Sequence, residues 1–192
     1  MRAIFALILI LVPGAAFAQP ADKPKQVQKP APKPISQEQL FAQLKQAQSA
    51  EDAHPIEQKL LALFRVSGSP SVDLLVTRVQ TALSAADRKT AKQLIDAVTR
   101  IAPGYAEGWH IRAGLEHAAD DDTAALVSLQ KVILLNPRHF AALNVLGDML
   151  QEYGDKAGAL KLYRRALEVD PKLPGVDQKI RELTHSVEGR DI

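Results

Sequence analysis

The sequence predicts an all-α protein built from repeated pairs of antiparallel helices. Pro103, Pro137 and Pro171 are spaced 34 residues apart. Three aspartates and three alanines share this period: Asp87, Asp121, Asp155, Ala91, Ala125 and Ala159. A fixed period carried by several residue types is the signature of a repeat protein.

Each residue type in the period has a structural reason. An aspartate at a helix start accepts hydrogen bonds from unpaired amides, and a proline shortly beyond a helix end prevents its continuation. A small alanine in the second helix of each unit lets two helices approach closely. Larger apolar residues fill the space beyond; they are Ile95, Leu129, Tyr163, Val98, Val132, Ala166, Ile101, Leu135 and Val169. The pattern therefore describes stacked helix pairs.

The unit 140–173 resembles the tetratricopeptide repeat (TPR) family, because consensus residues stand at the spacing of that family. The matching residues are Leu143, Leu146, Gly147, Leu150, Ala159, Tyr163, Ala166 and Pro171. The resemblance extends over about 100 residues and implies repeats at 72–105, 106–139 and 140–173. It also implies that the helix pairs form a right-handed superhelical solenoid.

Two of the repeats depart from the family pattern in their first helix. The second repeat keeps the family's tryptophan as Trp109 but has Arg112 and Glu116 where apolar residues are usual. The first repeat has Arg78 at the slot of Arg112. We interpret the matching departures as a variant of the family.

Helical patterns flank the repeats on both sides. Residues 36–71 predict a degenerate helical pair or cap, in which Ser36 and Gln39 form a capping box and Pro55 lies in the first turn of the second helix. Residues 174–192 predict a capping helix and a tail. The apolar stripe of that helix comprises Val176, Ile180, Leu183 and Val187.

The first residues predict export. Residues 1–18 contain an apolar run, Ala3 to Val12, followed by the small-residue pattern of a signal-peptide cleavage site, so Gln19 is the expected mature N-terminus. The run is too short to cross a hydrocarbon core of about 30 Å. Pro13 ends it, which disfavours an uncleaved anchor. We expect no transmembrane span in the mature chain.

Residues 19–35 predict a disordered linker, since they contain five prolines and four lysines and almost no apolar residue. As polyproline II, at about 3.1 Å per residue, the linker would reach about 50 Å. Its lysines could touch an anionic envelope surface, but we favour a solvated spacer.

Composition and motifs exclude several classes of function. The chain has no cysteine, hence neither disulfides nor thiolate sites. From Ser36 onward, 19 basic and 21 acidic residues give a net charge of −2, which disfavours nucleic-acid binding. The sequence contains no phosphate-binding glycine loop and no nucleophile elbow, so we predict neither catalysis nor a cofactor.

The histidines and aspartates offer weak metal candidates. His110 and His117 lie seven residues apart on one helical face, with Glu107 nearby, so a divalent metal could bind if a neighbouring helix supplied another ligand. We favour a polar groove lining and predict no metal site. The run from Asp120 to Asp122 suggests a helix start rather than a calcium loop.

The resemblance implies a concave groove lined by the first helix of each repeat. The predicted partner-binding residues are Asp73, Val76, Gln80, Leu83, Glu107, His110, Gly114, His117, Ala141, Asn144, Asp148 and Gln151. None is Lys or Arg. We therefore expect a mildly acidic groove that favours an extended or helical segment with basic and aliphatic side chains.

These observations predict an adaptor or scaffold of the bacterial cell envelope, secreted across the inner membrane into the periplasm. Its partner would be a protein or peptide, not nucleic acid. Two alternatives stay open: a self-associating structural protein, which would form a homo-oligomer, and a metal-handling accessory factor.

Overall fold

The computed structural model describes residues 35–187 and Gly189, and this part of the chain contains nine α-helices and no strands. They are α1 (Gln37–Gln46), α2 (Ala50–Phe64), α3 (Pro70–Ser84), α4 (Arg88–Ile101), α5 (Ala106–His117), α6 (Asp122–Leu135), α7 (Phe140–Glu152), α8 (Lys156–Val169) and α9 (Val176–Val187). None of the described helices has the length and hydropathy of a membrane span. The predicted signal peptide, residues 19–34 of the linker, and residues 188 and 190–192 at the C-terminal end lie outside the described residues.

The helix starts follow the side-chain chemistry of the sequence. Asp87, Asp121 and Asp155 cap α4, α6 and α8, and each carboxylate accepts a hydrogen bond from the amide three residues later, at 3.0, 3.2 and 2.9 Å. Ser36 and Gln39 form the predicted capping box of α1. These short-range contacts determine the residue at which each helix begins, because they satisfy the free amides of its first turn.

One local expectation was wrong. Pro55 lies in the second turn of α2 rather than in its first turn. The reason is that Ser49 caps the helix by accepting from the amide of Asp52 at 3.2 Å, so the helix already begins at Ala50.

The helices from α3 to α8 form three successive pairs, and α9 packs on α8. The repeat alanines Ala91, Ala125 and Ala159 are fully buried where the two helices of each pair meet. The predicted all-α solenoid is confirmed. One residue that the repeat pattern assigned to the core lies outside it. Ile101, the last residue of α4, is 63% exposed.

Arg112 and Glu116, the two polar residues that depart from the family pattern in the second repeat, form an ion pair with each other. Arg112 Nε donates to Glu116 Oε1 at 2.7 Å, and the second oxygen of Glu116 accepts from Ser128 Oγ at 2.6 Å. Arg112 also lies 3.5 Å from Asp96. Glu116 is buried, and a buried carboxylate without its partners would be strongly unfavourable. Glu116 at this position therefore requires Arg112.

The N-terminal pair, α1 and α2, packs across the connections between repeats rather than stacking on α3 as a preceding repeat would. We call these connections, residues 102–105, 136–139 and 170–175, the loop edge. Phe64 of α2 places its ring centroid 4.9 Å from that of His139, and Tyr105 Oη donates to the Arg65 carbonyl at 2.7 Å. At the far end, α1 reaches α8.

Candidate functional site

A cavity of about 520 Å³ opens between α3 and α5, on the predicted groove. Its lining residues are Gln80, Leu83, Ala86, Arg88, Glu107, His110, Ile111, Gly114, Leu115 and Ala118. Five of the predicted groove residues are among them: Gln80, Leu83, Glu107, His110 and Gly114. A smaller cavity of about 130 Å³ lies between α5 and α7, and it shares His110 and Gly114 with the first.

Gly114 sits on the open side of α5, between the two cavities. A Cβ placed on this glycine would meet no atom within 4 Å. The glycine is therefore not required by helix packing, and its missing side chain leaves open space in the floor of the groove. Leu83, Ile111 and Leu115 supply the apolar part of the lining.

A buried polar cluster forms the end wall of the larger cavity. Glu107 is 7% exposed, and its Oε2 lies 3.1 Å from His139 Nε2 and 3.4 Å from His110 Nδ1. His139 caps α7, because its Nδ1 accepts a hydrogen bond from the amide of Ala142 at 3.1 Å. An Nδ1 that accepts carries no proton, so the proton is on Nε2 and is donated to Glu107.

The surroundings keep Glu107 ionised and His139 neutral at pH 7. Burial alone would raise the pKa of Glu107, but hydrogen bonds from His110 and His139 outweigh it and lower the pKa to about 2. Burial lowers the pKa of His139. Since the folded pKa of Glu107 lies below its ordinary value of 4.5, the stability it contributes is present above pH 4.5 and is lost as the pH falls toward 2.

Glu107, His110 and His139 are the described residues that most resemble a metal centre, since their ligand atoms lie within 4.8 Å of one another. Two histidines and a carboxylate suit zinc by type. However, His139 has no free lone pair while it caps α7, because one nitrogen accepts from Ala142 and the other is protonated. The geometry fits a hydrogen-bonded cluster better than a metal site.

We therefore expect zinc to leave the melting temperature unchanged. A ligand at 100 times its Kd stabilises a folded protein by about 2.7 kcal/mol, which would raise Tm by several degrees. Thermal unfolding with and without zinc measures this directly. A saturable rise that His110→Gln abolishes would contradict the hydrogen-bonded interpretation.

The other predicted acidic groove residues are engaged within the chain. Asp73 Oδ1 accepts from the amide of Ser67 at 2.9 Å. Asp148 Oδ1 accepts from Tyr163 Oη at 2.6 Å and from Lys179 Nζ of α9 at 2.5 Å. Sequence reasoning missed Lys179 because it lies outside the repeats, so the groove is less acidic than its composition indicates.

The two histidines that helical spacing placed on one face, His110 and His117, both line the smaller cavity, but they contact different partners. His117 Nδ1 lies 2.6 Å from Asp122 Oδ1, and Tyr153 Oη donates to the other oxygen of Asp122. The hydrogen bond to Asp122 raises the pKa of His117. The His110 ring contacts the ring of His139, with 4.6 Å between the ring centroids. Sequence reasoning missed His139 because it lies in a connection between repeats.

The twelve predicted groove residues differ in accessibility. Gln80, Gly114 and His117 are exposed; Asp73, Leu83, His110, Ala141, Asn144, Asp148 and Gln151 are half-buried; Val76 and Glu107 are buried. Near α9 the groove is occupied, because Lys179 Nζ also donates to Asn144 Oδ1 at 3.0 Å. The open part of the groove therefore lies along α3 and α5.

The stacked helix pairs and their 34-residue period give the described part of this chain the tetratricopeptide repeat fold. The chain is similar to a TPR repeat-containing protein of Rhizobium etli, with 26% identity over 152 residues, which is 79% of this chain and 74% of that protein. No family model matches the chain.

Solved structures show the same fold. The crystal structure of MamA covers 74% of this chain and 81% of its own, with a TM-score of 0.56 and 21% identity. The first TPR domain of Spaghetti bound to an HSP90 peptide covers 61% of this chain and 93% of its own, with a TM-score of 0.55 and 15% identity.

Proposed function

We propose that this chain is a non-catalytic interaction module that binds a segment of a partner protein in the groove between α3 and α5. The observation that carries the proposal is the cavity of about 520 Å³, whose floor is left open at Gly114. The HSP90 peptide bound to Spaghetti gives a precedent for peptide binding on this fold.

The lining favours aliphatic side chains in the bound segment. Leu83, Ile111 and Leu115 offer apolar surface, and burying aliphatic side chains against it is favourable by about 25 cal/mol per Å². The charge of the groove should select among bound segments less strongly than the sequence predicts. The carboxylate of Glu107 is already paired, and Arg88 adds a cation to the rim while donating to the Ala118 carbonyl at 3.1 Å.

A groove-filling variant tests this proposal. Gly114→Phe places an aromatic ring in the open floor, whereas Lys161→Phe places the same ring on the exposed side of α8. We expect Gly114→Phe to lose a partner captured from envelope extract and identified by mass spectrometry, and Lys161→Phe to retain it. Equal capture by both variants would move the binding site away from the groove.

Charge reversal of the groove carboxylates is a poorer test. Glu107→Lys would bury an unpaired cation beside His139, and an uncompensated buried charge costs about 3–5 kcal/mol. Loss of binding in that variant would report misfolding rather than a lost contact, so Gly114 is the better position.

We propose that the protein acts in the bacterial cell envelope. The support is the sequence pattern of residues 1–18, which is typical of a signal peptide. Fusing residues 1–35 to a reporter enzyme that is active only after export should give activity. An inactive fusion that accumulates in the cytoplasm would contradict the envelope assignment.

A second candidate function is self-association, favoured by exposed aliphatic residues on α6. Val127 and Leu134 are 60% and 73% exposed, beside Trp109 and Pro103 around a cavity of about 430 Å³. A light-scattering mass of one chain supports the interaction module alone. A mass of two chains that Leu134→Glu returns to one would favour self-association.

A further inference from the structure

The first and second helices of the repeats carry net charges of opposite sign. The second helices, α4, α6 and α8, contain nine basic and three acidic residues, whereas the first helices, α3, α5 and α7, contain two basic and five acidic residues. Two acidic residues of the second helices are already paired: Asp96 with Lys92 at 3.1 Å, and Asp122 with His117 at 2.6 Å. The nearly balanced charge of the folded part therefore conceals a basic set of helices.

The solvent-facing positions of the second helices follow the 34-residue period. On α4 they are residues 89, 93, 96, 97 and 100, and the equivalent positions recur at 123–134 of α6 and at 157–168 of α8. All of these side chains are exposed or half-buried. Equivalent residues of stacked repeats line up along one surface, because each repeat contacts its neighbour in the same way. We call these positions the outer row.

The middle of the outer row, on α6, is aliphatic. Val127 and Leu134 are mostly exposed, and together with Trp109 and the outer-row residue Lys131 they line the cavity of about 430 Å³. The Trp109 indole is held in place, because its Nε1 donates to the Pro103 carbonyl at 2.9 Å. Exposed aliphatic side chains between basic helices suit a partner that is both anionic and apolar.

We propose that the outer row docks on the surface of an anionic lipid bilayer, with Val127 and Leu134 entering the boundary between headgroups and acyl chains. The basic residues on either side of α6, among them Arg100 of α4 and Arg165 of α8, then face the lipid phosphates. Peripheral binding of this kind combines buried apolar area with electrostatic attraction, and the outer row supplies both. This surface is not part of the groove, so its lipid binding does not depend on the proposed function.

The combination of charge and apolar area favours a bilayer over other partners. A second copy in a symmetric contact would bring the same basic surface of both chains together, and like charges that face each other are unfavourable. A nucleic acid would pair with the cations but would gain nothing from Val127 and Leu134. A bilayer engages both, since its anionic headgroups lie directly above apolar chains.

The single tryptophan of the chain reports contact at this surface. Trp109 lies beside Val127 and Leu134, so bromine atoms on the lipid acyl chains should quench its fluorescence when the outer row docks. The chain that begins at Gln19, the expected mature N-terminus, contains every described helix and lacks the apolar run of residues 1–18. We expect quenching by vesicles of brominated phosphatidylcholine and phosphatidylglycerol in equal amounts. Without phosphatidylglycerol, or in high salt, the quenching should be weak.

Two charge-reversed variants assign the attraction to the outer row. Arg100→Glu combined with Lys131→Glu should weaken the affinity for the anionic vesicles at least about 25-fold, since each basic residue near an anionic surface contributes about fivefold. Lys45→Glu combined with Lys59→Glu is the matched control, because it changes the net charge equally at exposed positions of α1 and α2. This control should bind nearly as well as the unchanged protein. Circular dichroism of both variants confirms folding.

A third variant isolates the apolar contribution. Val127→Ser combined with Leu134→Ser keeps every charge but removes the aliphatic side chains that would enter the bilayer. We expect weak, salt-sensitive binding in vesicle flotation and no quenching of Trp109. Full quenching in this variant would contradict the insertion of the α6 residues.

Three other results would overturn the proposal. Absence of binding to the anionic vesicles would do so, and a mass of two chains in that case would assign the outer row to a second copy. Binding that leaves Trp109 unquenched would assign the contact to another segment, such as the lysines of residues 19–35. Equal affinity of the two charge-reversed variants would show that net charge alone attracts the vesicles. None of these results depends on whether the groove binds a partner.

Discussion

Replacing Gly147 by alanine is expected to destabilise the protein by about 1–3 kcal/mol, the usual cost of overpacking a core. A Cβ at this position would lie 2.5 Å from Cε1 of Tyr163, closer than side-chain atoms approach. Tyr163 is fully buried, and its hydroxyl donates to Asp148 and contacts Gln151, so the ring has no room to move aside. The close approach of α7 and α8 therefore requires glycine.

Gly114→Ala is the matched control, since it makes the same change inside a first helix of a repeat. Its Cβ would meet nothing within 4 Å, so helix propensity alone should stabilise the protein by up to about 1 kcal/mol. Urea unfolding followed by circular dichroism measures both variants. Equal stabilities for the two would contradict the packing of Gly147 on Tyr163.

Ile95→Ala is expected to cost about 2–5 kcal/mol, the range for deleting a large aliphatic side chain from a core. Ile95 is fully buried in α4, where it packs with Val79 and Val98 of the first repeat. The substitution removes buried methyl groups and leaves a cavity that rigid helix packing fills only in part.

Ile101→Ala provides the control on the same helix. Because Ile101 is 63% exposed, its loss should change the free energy of unfolding by less than about 0.5 kcal/mol. The comparison also tests how far the repeat pattern predicts burial, because the pattern assigned both isoleucines to the core. Similar losses for the two variants would show that the end of α4 is buried after all.

The repeat core could be predicted from sequence because its determinants are local and recur. An aspartate cap needs only an amide three residues away, and the buried alanines follow from one helix-pair geometry repeated at a fixed period. Tyr163 and Gly147 are a matched pair within one repeat, so the consensus already contains both partners of the contact.

The placement of the N-terminal pair could not be predicted in this way. The ion pair of Glu38 with Arg138 joins residues 100 positions apart, and Glu57 meets Asp170 across a similar separation. Periodicity describes which face of a helix is apolar, but it does not identify the distant surface which that face covers. The pattern of residues 36–71 therefore predicts a degenerate helical pair or cap, but it does not predict that the pair contacts the loop edge.

The location of the groove could be predicted from the sequence, but its charge could be predicted less well. The resemblance to the family predicted Gln80, His110 and Gly114 as lining residues, and these residues line the open cavity. Whether a carboxylate is free depends on partners from other elements. Lys179 of α9 and His139 of a connecting loop engage Asp148 and Glu107, and neither contact is visible in the repeat pattern.

The central claim is that the groove between α3 and α5 binds a partner segment, and amide hydrogen exchange of the captured complex tests it most directly. We expect slower exchange on binding along α3 and α5, around Gln80 and Gly114, with α6 unchanged. Protection confined to the exposed face of α6, around Val127 and Leu134, would contradict this expectation and would place the interface on α6.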